Sequence, residues 1–200
     1  MDILDRVKKI LLTPDAEWSV IAGESTPPAT LMTGYVLPLA GVSAVAAFIG
    51  RSLVGQSVPL LGNYRVPVAS GLGQAVVSVV MAAIGIFLLS MIIDALAPTF
   101  GAQKNSSQAI KVAAYSATPA WVAGVLQILP VLGVLAIVGA LYCIYLLYLG
   151  LPRLMKCPQD KALGYTGVVI VCVIVISLVV GSLTTMMFVG SVPGVGGVNF

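Results

Sequence analysis

Five long apolar runs, separated by short charged stretches, constrain this chain more than any other feature. They lie at about Leu31–Ile49, Gly71–Ile93, Val112–Leu129, Val131–Leu149 and Gly167–Val189. A helix crosses a bilayer with about 20 predominantly apolar residues, in a range of roughly 17 to 25, and every run meets that requirement. Charged residues make up 8% of the 200, hydrophobic residues 59%, and the mean hydropathy is +1.08. A soluble domain carries roughly a quarter charged residues. A soluble fold built from this chain would expose large apolar patches and aggregate. The expected fold is therefore all-α: a polytopic membrane bundle of five transmembrane helices in a single domain. Residues 1–29 form an amphipathic arm, 31–189 the bundle and 190–200 a flexible Gly-rich tail.

The third and fourth runs meet at Leu129-Pro130-Val131 with hardly any loop, and Pro119 interrupts the third. Together they are too long for one crossing, so a tight helical hairpin is expected rather than a re-entrant unit. Lys and Arg set the orientation. The arm, the loop after span two and the loop after span four hold eight: Arg6, Lys8, Lys9, Lys104, Lys111, Arg153, Lys156 and Lys161. The opposite side holds two, Arg51 and Arg65. The N-terminus is expected in the cytosol and the C-terminus outside. No cleaved signal peptide is visible, since the first dozen residues are amphipathic and charged.

In that arm, Ile3, Leu4, Val7, Ile10 and Leu11 follow helical spacing, with Asp2, Asp5, Arg6, Lys8 and Lys9 on the other face. Such a helix suits the headgroup region or the underside of the bundle. Thr13-Pro14 stops it, and Pro14 opens a second short helix that brings Trp18 to the membrane–water boundary. Arg6, Lys8, Lys9 and Trp18 are the expected membrane-interface residues. The loop from about Gly50 to Ser70 reads as an ordered, turn-rich cap.

Ordinary enzyme machinery is absent from the sequence. There is no histidine, so Ser-His, Cys-His and HExxH arrangements cannot form, and no carboxylate pair stands out. Cys143, Cys157 and Cys172 are scattered and odd in number, which is neither a disulfide framework nor a metal site. The Gly-x-Gly at Ser70–Gln74 follows no strand and lacks the third glycine of a dinucleotide loop. No basic stripe interleaved with aromatics points to nucleic acid. No catalytic residue, metal or cofactor is expected.

Asp94 is the residue that needs a reason. A carboxylate near the end of span two costs several kcal/mol if it lies in hydrocarbon, so such groups have polar partners or a role. Ser90 is one turn earlier on the same face. Span three opens with Tyr115, Ser116 and Thr118 ahead of Pro119, which frees the carbonyl of Tyr115. Ser90, Asp94, Tyr115, Ser116, Thr118 and Pro119 thus form a candidate polar, ligand-binding cluster. The alternative is that Asp94 reaches headgroup water or pairs with Lys111 or Lys104. Tyr142, Tyr145 and Tyr148 recur every third residue on span four and suit packing and interfacial anchoring.

The runs Asp94-Ala-Leu-Ala-Pro98-Thr99-Phe-Gly101 and Ala114-Tyr115-Ser116-Ala-Thr118-Pro119, with Leu129-Pro130, Tyr142, Tyr145 and Leu149-Gly150-Leu151, resemble the Yip-one domain family. This is the Yip/Yif group of five-span membrane proteins, named for binding Ypt/Rab GTPases. The likeness runs from about Asp15 to the end of span five and implies a cytosolic N-terminus. Eukaryotic members carry a long soluble acidic region before span one, where this chain has only its short arm. It is similar to bacterial members of an inner membrane, where Rab partners do not exist; the trafficking role is not carried over, and the resemblance implies a fold and an address without a reaction.

Two functions follow as expectations. The first is a non-enzymatic membrane organiser or adaptor that binds lipid, another membrane protein or a second copy of itself. The second is a carrier or channel for an ion or small solute that uses the cluster around Asp94.

Overall fold

The computed structural model describes residues 2–58 and 62–188. The arm is two helices, α1 (Ile3–Leu12) and α2 (Pro14–Gly23). Asp2 caps α1 by accepting from the Leu4 N–H, and Pro14 opens α2 at its first position, where no N–H is needed. Ile10, Trp18 and Ile21 are fully buried, with Ile3, Val7 and Leu11 packed against the same core. The arm therefore lies under the bundle, with its apolar face on it.

Span one is the helix α3 (Pro28–Val54). It contains a widened turn at Met32–Val36, where the Leu37 N–H reaches back five residues to the Met32 carbonyl. The cause is Pro38, which lacks an N–H and whose ring crowds the carbonyl four residues earlier. A second widened turn, Ile49–Val54, closes the helix onto Gly55, whose φ of 91° favours glycine. An antiparallel hairpin follows, β1 (Gln56–Val58) on β2 (Gly62–Tyr64), a small addition to an otherwise helical chain.

Span two is α4 (Val68–Leu96), which tightens into a 3-10 turn at Ala97–Phe100 and ends at Gly101 with φ 67°. Span three is α5 (Ser106–Ser116) and α6 (Thr118–Val125), interrupted at Ala117 ahead of Pro119 as expected. Asn105 caps α5 through the Gln108 N–H at 3.1 Å. Leu129, extended because a proline follows, turns the chain into α7 (Leu135–Leu154), and α8 (Gln159–Phe188) completes the bundle. Both arms of the Pro130 hairpin, Ser106–Ile128 and Leu132–Leu154, have the length and composition to cross a membrane, and five helices among the described residues qualify. The tail from Gly190 to Phe200 lies outside the described residues.

Span three has the lowest hydropathy of the five and is by far the most enclosed. In its most apolar window 72% of residues are buried, against 33% or less elsewhere. It sits between α3, α4 and α7, while α8 packs on α4 and α7. Enclosure explains the composition: polar groups are tolerated on the helix that meets protein rather than lipid. The outer faces carry Val76, Val80, Phe87 and Met91 on α4, Ile137, Val138 and Leu141 on α7, and Val171, Leu178 and Met186 on α8, all exposed. In water these would be a liability; in a bilayer they are the solvated surface.

Candidate functional site

The structure divides the sequence-derived cluster into two neighbourhoods. Ser90 and Asp94 lie on the last turns of α4. Tyr115, Ser116, Thr118 and Pro119 lie at the break in span three, where their partners come from span one and the arm.

Around the break, Tyr35 and Thr118 share a hydrogen bond of 2.7 Å between their hydroxyls. Tyr35 stands in the widened turn before Pro38, so two proline-induced irregularities face each other. The Tyr35 ring meets Tyr115 at 4.8 Å between centroids and Trp121 at 6.4 Å, both edge-on, and Trp18 meets Tyr115 at 6.3 Å. Arg6 lies 5.5 Å from the centroid of the Tyr115 ring. Such edge and cation contacts follow the ring quadrupole. Ser116 is buried, and its hydroxyl has no hydrogen-bond partner among the described residues.

Arg6 is only 4% exposed, although helical spacing groups it with Lys8 and Lys9 on the polar face of α1. Its guanidinium donates to Glu17 at 2.5 Å and also to Glu24. Burial pulls the Arg6 pKa down, yet the hydrogen bond with Glu24 and the charges of Glu24 and Glu17 more than offset it, leaving it above its ordinary value. Lys111 donates to the carbonyls of Ile21 and Glu24, which fastens the end of α2 to span three. Trp18 is fully buried against Gly150, where a Cβ would come within 2.9 Å of its ring. Lys8 and Lys9 stay exposed. Of the four interface residues expected, two face solvent and two turn inward. A cavity of about 320 Å³ remains between the arm and span one, lined by Arg6, Glu24, Thr26, Thr30, Tyr35 and Tyr115.

Around Asp94 the arrangement differs. The residue is 8% exposed. Its Oδ2 accepts from the Ser106 hydroxyl at 2.9 Å, across the connection between spans two and three. Its Oδ1 is buried and has no hydrogen-bond partner among the described residues. Ser90 donates its own proton to the Phe87 carbonyl at 2.7 Å. Lys111 does not pair with Asp94, being committed to the arm, and Lys104 makes no ion pair among the described residues. Asp94, Ser90, Ser106 and Lys104 instead line a cavity of about 380 Å³, together with Phe87, Met91, Pro28 and Ile110. An unpaired buried acceptor is costly and calls for a partner.

Sequence reasoning missed Tyr35, Glu17, Glu24 and Ser106 as site residues, and it named Lys104 only as a pairing partner for Asp94. Tyr35 carried one signal, a polar aromatic three residues before an intrahelical proline. Ser106 carried another, since it follows an Asn placed to cap a helix.

Among comparisons with known proteins, the family model described as the Yip1 domain matches residues 8–181. No curated protein and no solved structure matches the chain.

Proposed function

We propose that this chain, which belongs to the Yip1 domain family, is a non-enzymatic membrane organiser that works by binding phospholipid at the Asp94 cavity. It is an integral membrane protein with five apolar helices. One observation carries the reading: a nine-tenths buried carboxylate, one oxygen of which has no hydrogen-bond partner among the described residues, lines a cavity together with exposed Phe87 and Met91 of the same helix. A site that is polar at its head and apolar along its flank matches an amphiphile entering from the bilayer. The excess of eight basic residues over two supports a cytosolic N-terminus, with the Asp94 end of the bundle facing the same side, as in a bacterial inner membrane. A second membrane protein or a second copy of this chain is a further partner for the exposed faces.

The test is native mass spectrometry of the purified chain after exhaustive detergent exchange, with a flux assay in proteoliposomes. A phospholipid that stays bound, with no solute flux, supports the organiser. A lipid-free chain, or an ion flux abolished by Asp94→Asn, overturns it in favour of a carrier or channel.

A further inference from the structure

We infer that the Asp94 cavity selects a phospholipid whose headgroup ends in a primary amine, with phosphatidylethanolamine as the type. This rests on the lipid-binding reading and adds the chemistry of the ligand.

The donors and acceptors that line the cavity define the ligand that fits it. Ser106 spends its proton on Asp94 Oδ2, and Ser90 spends its proton on the Phe87 carbonyl. Both hydroxyls are left with oxygen lone pairs. Asp94 Oδ1 is a third acceptor and has no partner among the described residues. The polar wall of the cavity therefore offers acceptors and one negative charge. A group that carries several N–H donors and a positive charge satisfies it, and a primary ammonium has three. A quaternary ammonium has none and leaves the buried oxygen unpaired. A glycerol headgroup donates hydroxyls without the charge.

Lys104 supplies the other half. Its ammonium lines the same cavity and forms no ion pair among the described residues, so it is placed to meet a phosphate. Acid and base on one cavity match a zwitterion that carries an amine beyond its phosphate. Depth agrees as well. Asp94 precedes the end of the span at Phe100 by six residues, or about 9 Å of helix, which is headgroup rather than mid-bilayer level. From Asp94 toward the bilayer centre, Met91 and Phe87 repeat at helical spacing on the same face of α4, followed by exposed Ile84 and Val80. That strip is a path for an acyl chain.

The experiment uses the full chain in vesicles with equal parts of phosphatidylethanolamine, its mono- and dimethyl derivatives, phosphatidylcholine and phosphatidylglycerol. The lipid retained after extraction is read by native mass spectrometry. Phosphatidylethanolamine is expected to be enriched about tenfold over phosphatidylcholine, with retention falling stepwise as methyl groups replace N–H donors. Asp94→Asn should erase that preference, whereas Lys104→Ala should lower retention of every phospholipid and keep the amine order. The methyl series on the unaltered chain does not depend on any variant folding. Equal retention across the series, or a preference that survives Asp94→Asn, overturns the amine site while lipid binding stands. No retained lipid of any class overturns both.

Discussion

The hydroxyls of Tyr35 and Thr118 lie 2.7 Å apart, joining the widened turn of span one to the break in span three. Tyr35 is 5% exposed and Thr118 fully buried, so neither hydroxyl has water to fall back on. Tyr35→Phe should destabilise the bundle by about 1–3 kcal/mol, because Thr118 is left unsatisfied. Adding Thr118→Val should recover part of that loss, since removing both partners costs less than stranding one. Thermal unfolding of the two single variants and the double variant in one detergent checks it. Additive losses would show that the pair is not coupled.

Arg6 joins the two arm helices by reaching from α1 to Glu17 on α2 and to Glu24 beyond it. Replacing it strands two acids, one of them buried, so Arg6→Met should cost roughly 3–5 kcal/mol and release the arm. The readout is maleimide labelling of a cysteine placed at fully buried Ile21, in a chain freed of its own cysteines. Labelling should be slow with Arg6 present and fast without it. A group whose folded pKa is raised contributes stability below its unfolded pKa and loses it only as pH rises through the folded value. For an arginine that window lies far above neutrality, so the arm should stay docked across the physiological pH range.

Two glycines separate close packing from open space. A Cβ on Gly50 would sit 1.9 Å from the Gln127 carbonyl oxygen, where spans one and three touch backbone to backbone. On Gly85 it would meet nothing within 4 Å. Gly50→Ala should therefore destabilise by about 1–3 kcal/mol through overpacking, and Gly85→Ala should stabilise by up to about 1 kcal/mol through helix propensity. Melting temperatures measured side by side decide it, and similar shifts for both would contradict the packing at Gly50.

The spans, the arm and the break at Pro119 were legible because each depends on local sequence: run length, helical spacing and a missing N–H. Partnerships across the bundle were not legible. Helical spacing assigns a residue to a face without saying what meets that face. Arg6 reads as one of three basic residues turned to the headgroups, and only the acids Glu17 and Glu24 folding back beside it draw it inward. Asp94 and Thr118 lie near each other along the hairpin of spans two and three, so one cluster was expected. In the structure Tyr35, 83 residues before Thr118, takes Thr118, and Ser106 takes Asp94. Packing chose both partners, the distant Tyr35 and the nearer Ser106, and a single sequence gives little access to packing.

Orientation rests on charge alone and is open to direct measurement. Single cysteines at Lys9 and Lys156 report the side of the arm, and one at Gly55 reports the opposite end of span one. The native cysteines are removed first, although burial already raises the Cys157 thiol above its ordinary pKa and slows its reaction. In spheroplasts exposed to a membrane-impermeant maleimide, the cysteine at position 55 should label at once. Those at positions 9 and 156 should label only after the membrane is opened. The reverse order would place the arm outside, and with it the Asp94 cavity in the outer leaflet.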